Sequence, residues 1–147
     1  MSVTTINLEM DTEQMRNIFG MQDAYIKKLE QDFQVTIVDR NGSIIITGEE
    51  ENAGKASRVV RQLTALSDRG NDIEEQSVDY AIEMGKEDQE DRLMEMDADC
   101  ICHTINGKPI KPKTLGQKAY VDAIRKNMIV FGLGPAGTGK TYLAMAM

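Results

Sequence analysis

Tryptophan is absent from this 147-residue sequence, which has one histidine, two cysteines, three prolines and only 5% aromatic residues. Two cysteines are too few for a disulfide scaffold, so we expect the thiols of Cys100 and Cys102 to be reduced. No apolar run approaches the roughly 18 residues that a membrane helix needs. The first residues lack the basic flank and the apolar centre of a secretory signal, which predicts a cytoplasmic protein that does not bind membranes.

The charge is unevenly distributed along a chain whose composition is that of a folded globular protein, with 41% hydrophobic and 28% charged residues. Residues 1–69 carry 8 basic and 11 acidic side chains, residues 70–99 carry 2 and 12, and residues 100–147 carry 7 and 1. Such asymmetry indicates parts with different partners. We therefore predict a first domain at 1–70, an acidic helical connector at 71–99 and a last domain at 100–147.

The first segment predicts the element order β-α-α-β-β-α. Residues 4–10 alternate apolar and polar side chains as a half-buried strand does, and position 11 or 12 is suited to cap a short helix that Gly20 ends. A second helix follows, and Asn41-Gly42 between β-branched runs predicts a hairpin. Gly48 then precedes a long helix whose apolar residues recur at helical spacing: Ala53, Ala56, Val59, Val60, Leu63 and Leu66.

The rest of the chain predicts helices, a hairpin and one buried strand. The acidic segment has an incomplete helical stripe of apolar residues, which is typical of a hinge or spacer. Residues 100–110 predict a small second hairpin, followed by an amphipathic helix that contains Tyr120, Val121 and Ile124. Residues 128–131 form a continuous apolar run, the pattern of a strand buried on both faces of a parallel sheet.

Directly after that run stands Gly134-Pro135-Ala136-Gly137-Thr138-Gly139-Lys140-Thr141, which matches the phosphate-loop pattern G-x-x-x-x-G-K-[ST] at every fixed position. Glycines let the backbone wrap around phosphates with its N–H groups turned inward. Lys140 is expected to reach the terminal phosphates, and the Thr141 hydroxyl to coordinate Mg²⁺. Gln117 carries an amide that can donate to and accept from an adenine edge. The expected cofactors are therefore ATP and Mg²⁺.

The segment Pro112–Tyr120, the run Ile129-Val130-Phe131 and the phosphate loop together closely resemble the PhoH-like ATPases. The resemblance implies that Gln117, with Thr114 as its neighbour, reads adenine. It also implies an α/β protein in which a KH-like α+β domain of β-α-α-β-β-α order precedes a P-loop NTPase core. That core is expected to be a helicase-like, doubly wound parallel sheet, of which residues 100–147 form the start.

KH modules hold single-stranded RNA with a G-x-x-G loop between two helices. Here that place reads Gly20-Met21-Gln22-Asp23, in which aspartate replaces the second glycine and its charge repels phosphate. Gly20, Lys27 and Lys28 are the residues expected to contact an RNA backbone. The net negative charge of this segment and its few aromatic residues argue against tight binding, so oligomerisation or docking is the alternative role of the domain.

The chain stops six residues after Thr141, within the first helix of the expected core, so we expect an N-terminal fragment that does not hydrolyse ATP by itself. The catalytic groups, namely an acid that orders Mg²⁺, a water-positioning group and any arginine finger, are expected beyond Met147. For the parent protein the resemblance implies a homo-oligomeric ATPase that acts on single-stranded or ribosomal RNA. It also implies work beside an endoribonuclease that matures ribosomal RNA.

Other functions fit parts of the sequence. One is a KH-like RNA-binding or oligomerisation module with an incomplete, inactive phosphate loop. Another is a P-loop small-molecule kinase, which gives no reason for the first domain. Cys100, Cys102 and His103 could ligate zinc, but a structural site needs four ligands, so we favour ordinary packing. A basic cluster is either a solvated face or a surface that steers nucleotide or RNA: Lys108, Lys111, Lys113 and Lys118.

Overall fold

A computed structural model describes residues 2–89 and 91–147 of the chain, which divides into two compact units, Met1–Leu93 and Met94–Met147. The structure is mixed α/β, as the sequence predicts, and each unit contains one antiparallel sheet. In the described ranges, no helix combines the length and the apolar character that crossing a bilayer requires.

The first unit opens with the element order that the sequence predicts. Its elements are β1 (Val3–Glu9), α1 (Thr12–Phe19), α2 (Ala24–Phe33), β2 (Thr36–Asp39), β3 (Ser43–Glu49) and α3 (Glu50–Asp68). Strand β3 lies in the middle of the sheet and pairs antiparallel with both neighbours. Ile46 lies opposite Ile6 of β1 and Ile37 of β2, so one isoleucine from each strand lies on the same face of the sheet.

Local signals place the turns of this unit. The Gln14 N–H donates to Asp11 Oδ1 at 2.8 Å, and Gln14 Oε1 accepts from the Asp11 N–H at 3.0 Å. These two bonds form a capping box at the start of α1. Of the two positions that the sequence offered, 11 and 12, the capping residue is therefore Asp11. Asn41 and Gly42 have φ values of 55° and 85°, the left-handed geometry of a tight two-residue hairpin turn. Both turn predictions are confirmed.

The core of the first unit lies between the sheet and α3. Leu8, Ile44 and Ile46 are buried on the inner face of the sheet. Helix α3 buries all six of the apolar residues that its periodicity predicts: Ala53, Ala56, Val59, Val60, Leu63 and Leu66. Burial of one large aliphatic side chain contributes about 1.5–3 kcal/mol, so this interface stabilises the packing of α3 on the sheet.

The acidic segment predicted as a connector contributes a packed helix to the first unit. Helix α4 (Glu75–Lys86) packs on α2 and α3 and buries four apolar side chains, Val78, Ala81, Ile82 and Met84. At Gly85 an added Cβ would lie 2.2 Å from Val59 Cγ2 and 3.2 Å from Phe33 Cζ. The close approach of α4 to α3 therefore depends on glycine at position 85.

Helix α5 (Arg92–Ala98) lies where the two units meet in sequence, and the second unit is built on short elements. These are β4 (Cys102–His103), β5 (Pro109–Ile110), α6 (Leu115–Lys126) and α7 (Lys140–Ala146). Strands β4 and β5 form the small hairpin that the sequence predicts, with Cys102 opposite Ile110. Val121 is fully buried on α6, as expected for an amphipathic helix.

The strand predicted over residues 128–131 is not formed, and that prediction is wrong for this chain. Met128 and Phe131 are exposed instead of buried, at 101% and 86%. A strand needs a hydrogen-bonded neighbour, and the described residues contain only the antiparallel sheets β1-β3-β2 and β4-β5. The doubly wound parallel sheet is thus absent from the part of the chain that the structure describes.

Candidate functional site

Residues 134–141 of the second unit, called the phosphate loop below, form a mostly exposed segment whose last two residues, Lys140 and Thr141, begin α7. Gly137 and Gly139 have φ values of 79° and 81°, in the left-handed region that glycine adopts without strain. No atom lies within 4 Å of the place where a Cβ on Gly137 would be. The backbone is therefore open to a ligand at Gly137, and the conformation at positions 137 and 139 requires glycine.

The ammonium group of Lys140 lies against the backbone of this loop. Lys140 Nζ donates to Gly134 O at 2.9 Å and to Pro135 O at 2.7 Å, and it is 3.3 Å from Thr138 Oγ1. The Thr138 hydroxyl in turn donates to Pro135 O at 3.0 Å. Neutral carbonyls thus hold a cation at the site, and anionic phosphate oxygens are stronger acceptors that can replace them.

Gln117 lies next to the phosphate loop although 21 residues separate it from Thr138. Thr114 caps α6 by accepting from the Gln117 N–H at 3.1 Å. Gln117 Oε1 accepts from the Lys113 N–H at 2.7 Å, and its Nε2 donates to Thr138 O at 3.1 Å. Both ends of the amide are therefore bound to backbone, and contact of Gln117 with adenine stays a prediction.

Tyr120 is a site residue that the sequence reasoning placed only in an amphipathic helix. Its hydroxyl donates to Lys140 O at 3.2 Å. An added Cβ on Gly132 would lie 3.2 Å from Tyr120 Cε2, so the ring lies close to the chain before the loop. The spacing of three residues from Gln117 is the signal that could have found it, because residues three apart share one face of a helix.

The half-buried carboxylate of Asp99 joins the chain before β4 to α6. Arg125 donates to both Asp99 oxygens at 2.7 and 2.9 Å, and Lys118 Nζ lies 3.0 Å from Asp99 Oδ2. Hydrogen bonding from Arg125, and then from Lys118, holds the pKa of Asp99 below its usual range. Stability from this group is therefore present above the ordinary aspartate pKa and is lost as the pH falls through the lowered value.

Lys111 and Lys118 of the predicted basic cluster are paired with carboxylates. Lys118 contacts Asp99 and Asp122, and Lys111 Nζ lies 2.6 Å from Asp97 Oδ1. The hydrogen bonds to Asp122 and Asp99 raise the pKa of Lys118 above its ordinary value. The cluster thus contributes less positive potential near the loop than the sequence suggests.

The segment Gly20–Asp23 joins α1 to α2 with an unusual backbone. Gly20, Gln22 and Asp23 have φ values of 70°, 55° and 59°, so two side-chain-bearing residues adopt the left-handed conformation. The ring of Tyr25 lies against Gly20, where an added Cβ would be 2.6 Å from Tyr25 Cδ2. Position 20 therefore requires glycine, and position 23 has the conformation that glycine would favour.

The two lysines predicted to contact RNA already have partners in the first unit. Lys28 Nζ lies 2.7 Å from carboxylate oxygens of both Glu75 and Asp79 on α4. Hydrogen bonds to Asp79 and Glu75 raise the pKa of Lys28. Lys27 Nζ donates to Gln22 O at 3.1 Å. The charge of Lys28 is thus neutralised by the acidic segment.

The remaining candidate was the cysteine and histidine group near β4. Cys100 Sγ lies 3.8 Å from His103 Nε2, and both cysteines are free thiols. Within residues 2–89 and 91–147, no three or more His, Cys, Asp or Glu side chains form a group that could hold a metal ion.

The family model and several relatives that match this chain are described as PhoH-like proteins. A family model described as PhoH-like protein matches residues 109–147. A PhoH-like protein of Bacillus subtilis (strain 168) is 41% identical over 129 residues, which cover 88% of this chain and 40% of that protein. A PhoH-like protein of Mycobacterium bovis is 35% identical over 144 residues, which cover 95% of this chain and 40% of that protein. A PhoH-like protein of Synechocystis is 25% identical over 151 residues, which cover 100% of this chain and 45% of that protein. The chain thus spans less than half the length of these relatives. No solved structure matches it.

Proposed function

This chain belongs to the PhoH-like protein family, and from that premise we propose that it supplies the nucleotide-binding loop of a Mg²⁺-dependent ATPase. The observation that carries the proposal is the arrangement of residues 134–141. A glycine backbone that is open at Gly137 and a lysine ammonium that donates to neutral oxygens of its own loop lie together there. That combination suits a polyphosphate better than a neutral ligand.

Each residue of the loop has a separate part in this proposal. The backbone N–H groups of residues 137–141 bind phosphate oxygens, and Lys140 exchanges the carbonyls of Gly134 and Pro135 for the β- and γ-phosphates. The exposed Thr141 supplies a neutral oxygen, the ligand type that Mg²⁺ prefers. Bound Mg²⁺ supplies positive charge that stabilises the leaving phosphate. The groups that position water stay a prediction for sequence beyond residue 147.

Gln117 is proposed to select the base. Its amide already lies beside the loop, and the amino group of adenine can donate to Gln117 Oε1 in place of the Lys113 N–H while Nε2 keeps its bond to Thr138 O. The nucleotide that we propose for this site is therefore ATP.

A binding experiment with the full-length protein tests the proposal through the number of phosphates. Titration in Mg²⁺ buffer is expected to show that ATP and ADP bind about 100-fold more tightly than AMP. Two charge-assisted contacts to a β-phosphate contribute about 1.5 kcal/mol or more each, and 1.4 kcal/mol is a factor of ten. Equal affinity for AMP and ADP, or no binding of ATP, would show that the loop does not bind polyphosphates.

The first unit supports a second candidate function, RNA binding by a KH-like domain. The supporting observations are the β-α-α-β-β-α order, the sheet order β1-β3-β2 and the position of Gly20–Asp23 between two helices. A single-stranded RNA, ribosomal RNA included, is the proposed ligand of that loop. The carboxylates beside Lys28 weaken this candidate, and self-association of the domain is its alternative.

The substitution Asp23→Gly tests whether this loop meets RNA. We expect it to tighten binding of a single-stranded oligonucleotide about fivefold, because it removes one negative charge near phosphate, worth about 1 kcal/mol, and restores glycine at a left-handed position. Fluorescence anisotropy of the full-length protein at two salt concentrations measures the change. Asp72→Gly, in an exposed loop, is the charge-matched control. Equal affinities for both variants and the wild type would favour the assembly role.

A further inference from the structure

Two side chains one turn apart on α6 donate hydrogen bonds to backbone carbonyls of the phosphate loop. Gln117 Nε2 donates to Thr138 O at 3.1 Å. The Tyr120 hydroxyl donates to Lys140 O at 3.2 Å. We propose that Tyr120 is a positioning residue that holds the loop in the shape that binds phosphate, an inference that rests on the ATP site proposed above.

The geometry of the peptide unit relates these two carbonyl contacts to the direction of the N–H groups that follow them. In a trans peptide unit the C=O and the following N–H point in opposite directions, and the chain has no cis peptide bonds in its described residues. A donor on α6 that holds the Thr138 carbonyl directs the Gly139 N–H away from α6. The bond from Tyr120 to the Lys140 carbonyl directs the Thr141 N–H away from α6 in the same manner. Two loop donors are thereby left for an anion.

The ring of Tyr120 adds a second point of attachment. It approaches the backbone before the loop, since an added Cβ on Gly132 would lie 3.2 Å from Cε2 and 3.5 Å from Cζ. Tyr120 thus lies close to Gly132, before the loop, and hydrogen-bonds to Lys140, at the start of α7. A loop fixed in this way loses less conformational entropy when nucleotide binds, which increases affinity.

The substitution Tyr120→Phe in the full-length protein removes the hydroxyl and keeps the ring. We expect the Kd for ADP and the KM for ATP to rise about three- to tenfold, the range for loss of one neutral hydrogen bond. The kcat should stay within about twofold, because the backbone N–H groups of the loop, unlike the Lys140 ammonium, contact phosphates alike in the ground state and the transition state. Tyr142→Phe is the matched control, since Tyr142 is 60% exposed on α7, and its constants should equal those of the wild type.

A second variant separates positioning from a general loss of structure. Gly132→Ala places a methyl group 3.2 Å from Tyr120 Cε2, so the ring must shift, and the Kd for ADP and the KM for ATP should both rise. Partial unfolding would instead lower kcat and leave KM unchanged, so thermal unfolding is followed without nucleotide for every variant. Wild-type KM and Kd in both Tyr120→Phe and Gly132→Ala would overturn the inference while the ATP site stands. Failure of the wild type to bind ADP would overturn the ATP site itself.

Discussion

Replacing Lys140 with alanine is expected to lower ATP turnover by the full-length protein at least about 100-fold, the loss found when one electrostatic contact to developing charge is removed. Lys140 is the one cationic residue in the sequence 134–141, and its ammonium lies against the loop backbone. No neighbouring cation of that segment can replace it. Release of inorganic phosphate in Mg²⁺ buffer under steady-state conditions measures the change.

The charge-matched control for this experiment is Lys126→Ala. Lys126 is exposed at the end of α6, so its removal takes the same charge from the same unit without altering the loop. Turnover by this variant should equal that of the wild type. Thermal unfolding of the Lys140→Ala variant is followed as well, because Lys140 is half-buried and its ammonium donates to the carbonyls of Gly134 and Pro135. Wild-type turnover in Lys140→Ala would contradict the assignment of the loop.

The substitution Gly85→Ala is expected to destabilise the first unit by about 1–3 kcal/mol, the usual cost of overpacking. Helix propensity alone favours alanine over glycine by about 1 kcal/mol, so packing reverses the sign of the effect. The new methyl group would lie 2.2 Å from Val59 Cγ2, and Val59 is fully buried on α3. Denaturant unfolding of the full-length protein, followed by circular dichroism, measures the free energy of unfolding.

Two further variants identify the contact responsible. Gly54 lies on α3, where an added Cβ would lie 3.7 Å from Arg58 Nη1 in ordinary contact, so Gly54→Ala should stabilise the unit by about 0.5–1 kcal/mol. Val59→Ala removes the clashing methyl groups, and its effect should be smaller in the Gly85→Ala background than in the wild type. Stabilisation by Gly85→Ala as large as that by Gly54→Ala would mean that α4 does not pack on α3.

Short-range signals account for the parts of the fold that the sequence predicted correctly. Asp11 caps α1 through a residue three positions away, and Asn41-Gly42 forms its turn with its immediate neighbours. The apolar spacing of α3 reports which side of one helix avoids water. The phosphate-loop motif is equally local, because its eight residues carry both the glycine conformations and the cation.

Long-range packing accounts for what the sequence alone did not predict. Helix α4 lies in the acidic segment, yet its apolar stripe packs on α3, and two of its carboxylates bind Lys28 about 50 residues away. The apolar run at 128–131 has the pattern of a buried strand, but a pattern cannot provide the neighbouring strand that such burial requires.

The sequence by itself determined the order of elements in the first unit, the phosphate loop and the family to which the chain belongs. Tertiary structure alone decided that α4 joins the first unit, that Lys28 is neutralised, and that Tyr120 binds the carbonyl of Lys140. The reason is physical. Helix caps, turns and loop conformations depend on residues a few positions apart, whereas ion pairs and helix contacts depend on which distant surfaces the folded chain brings together.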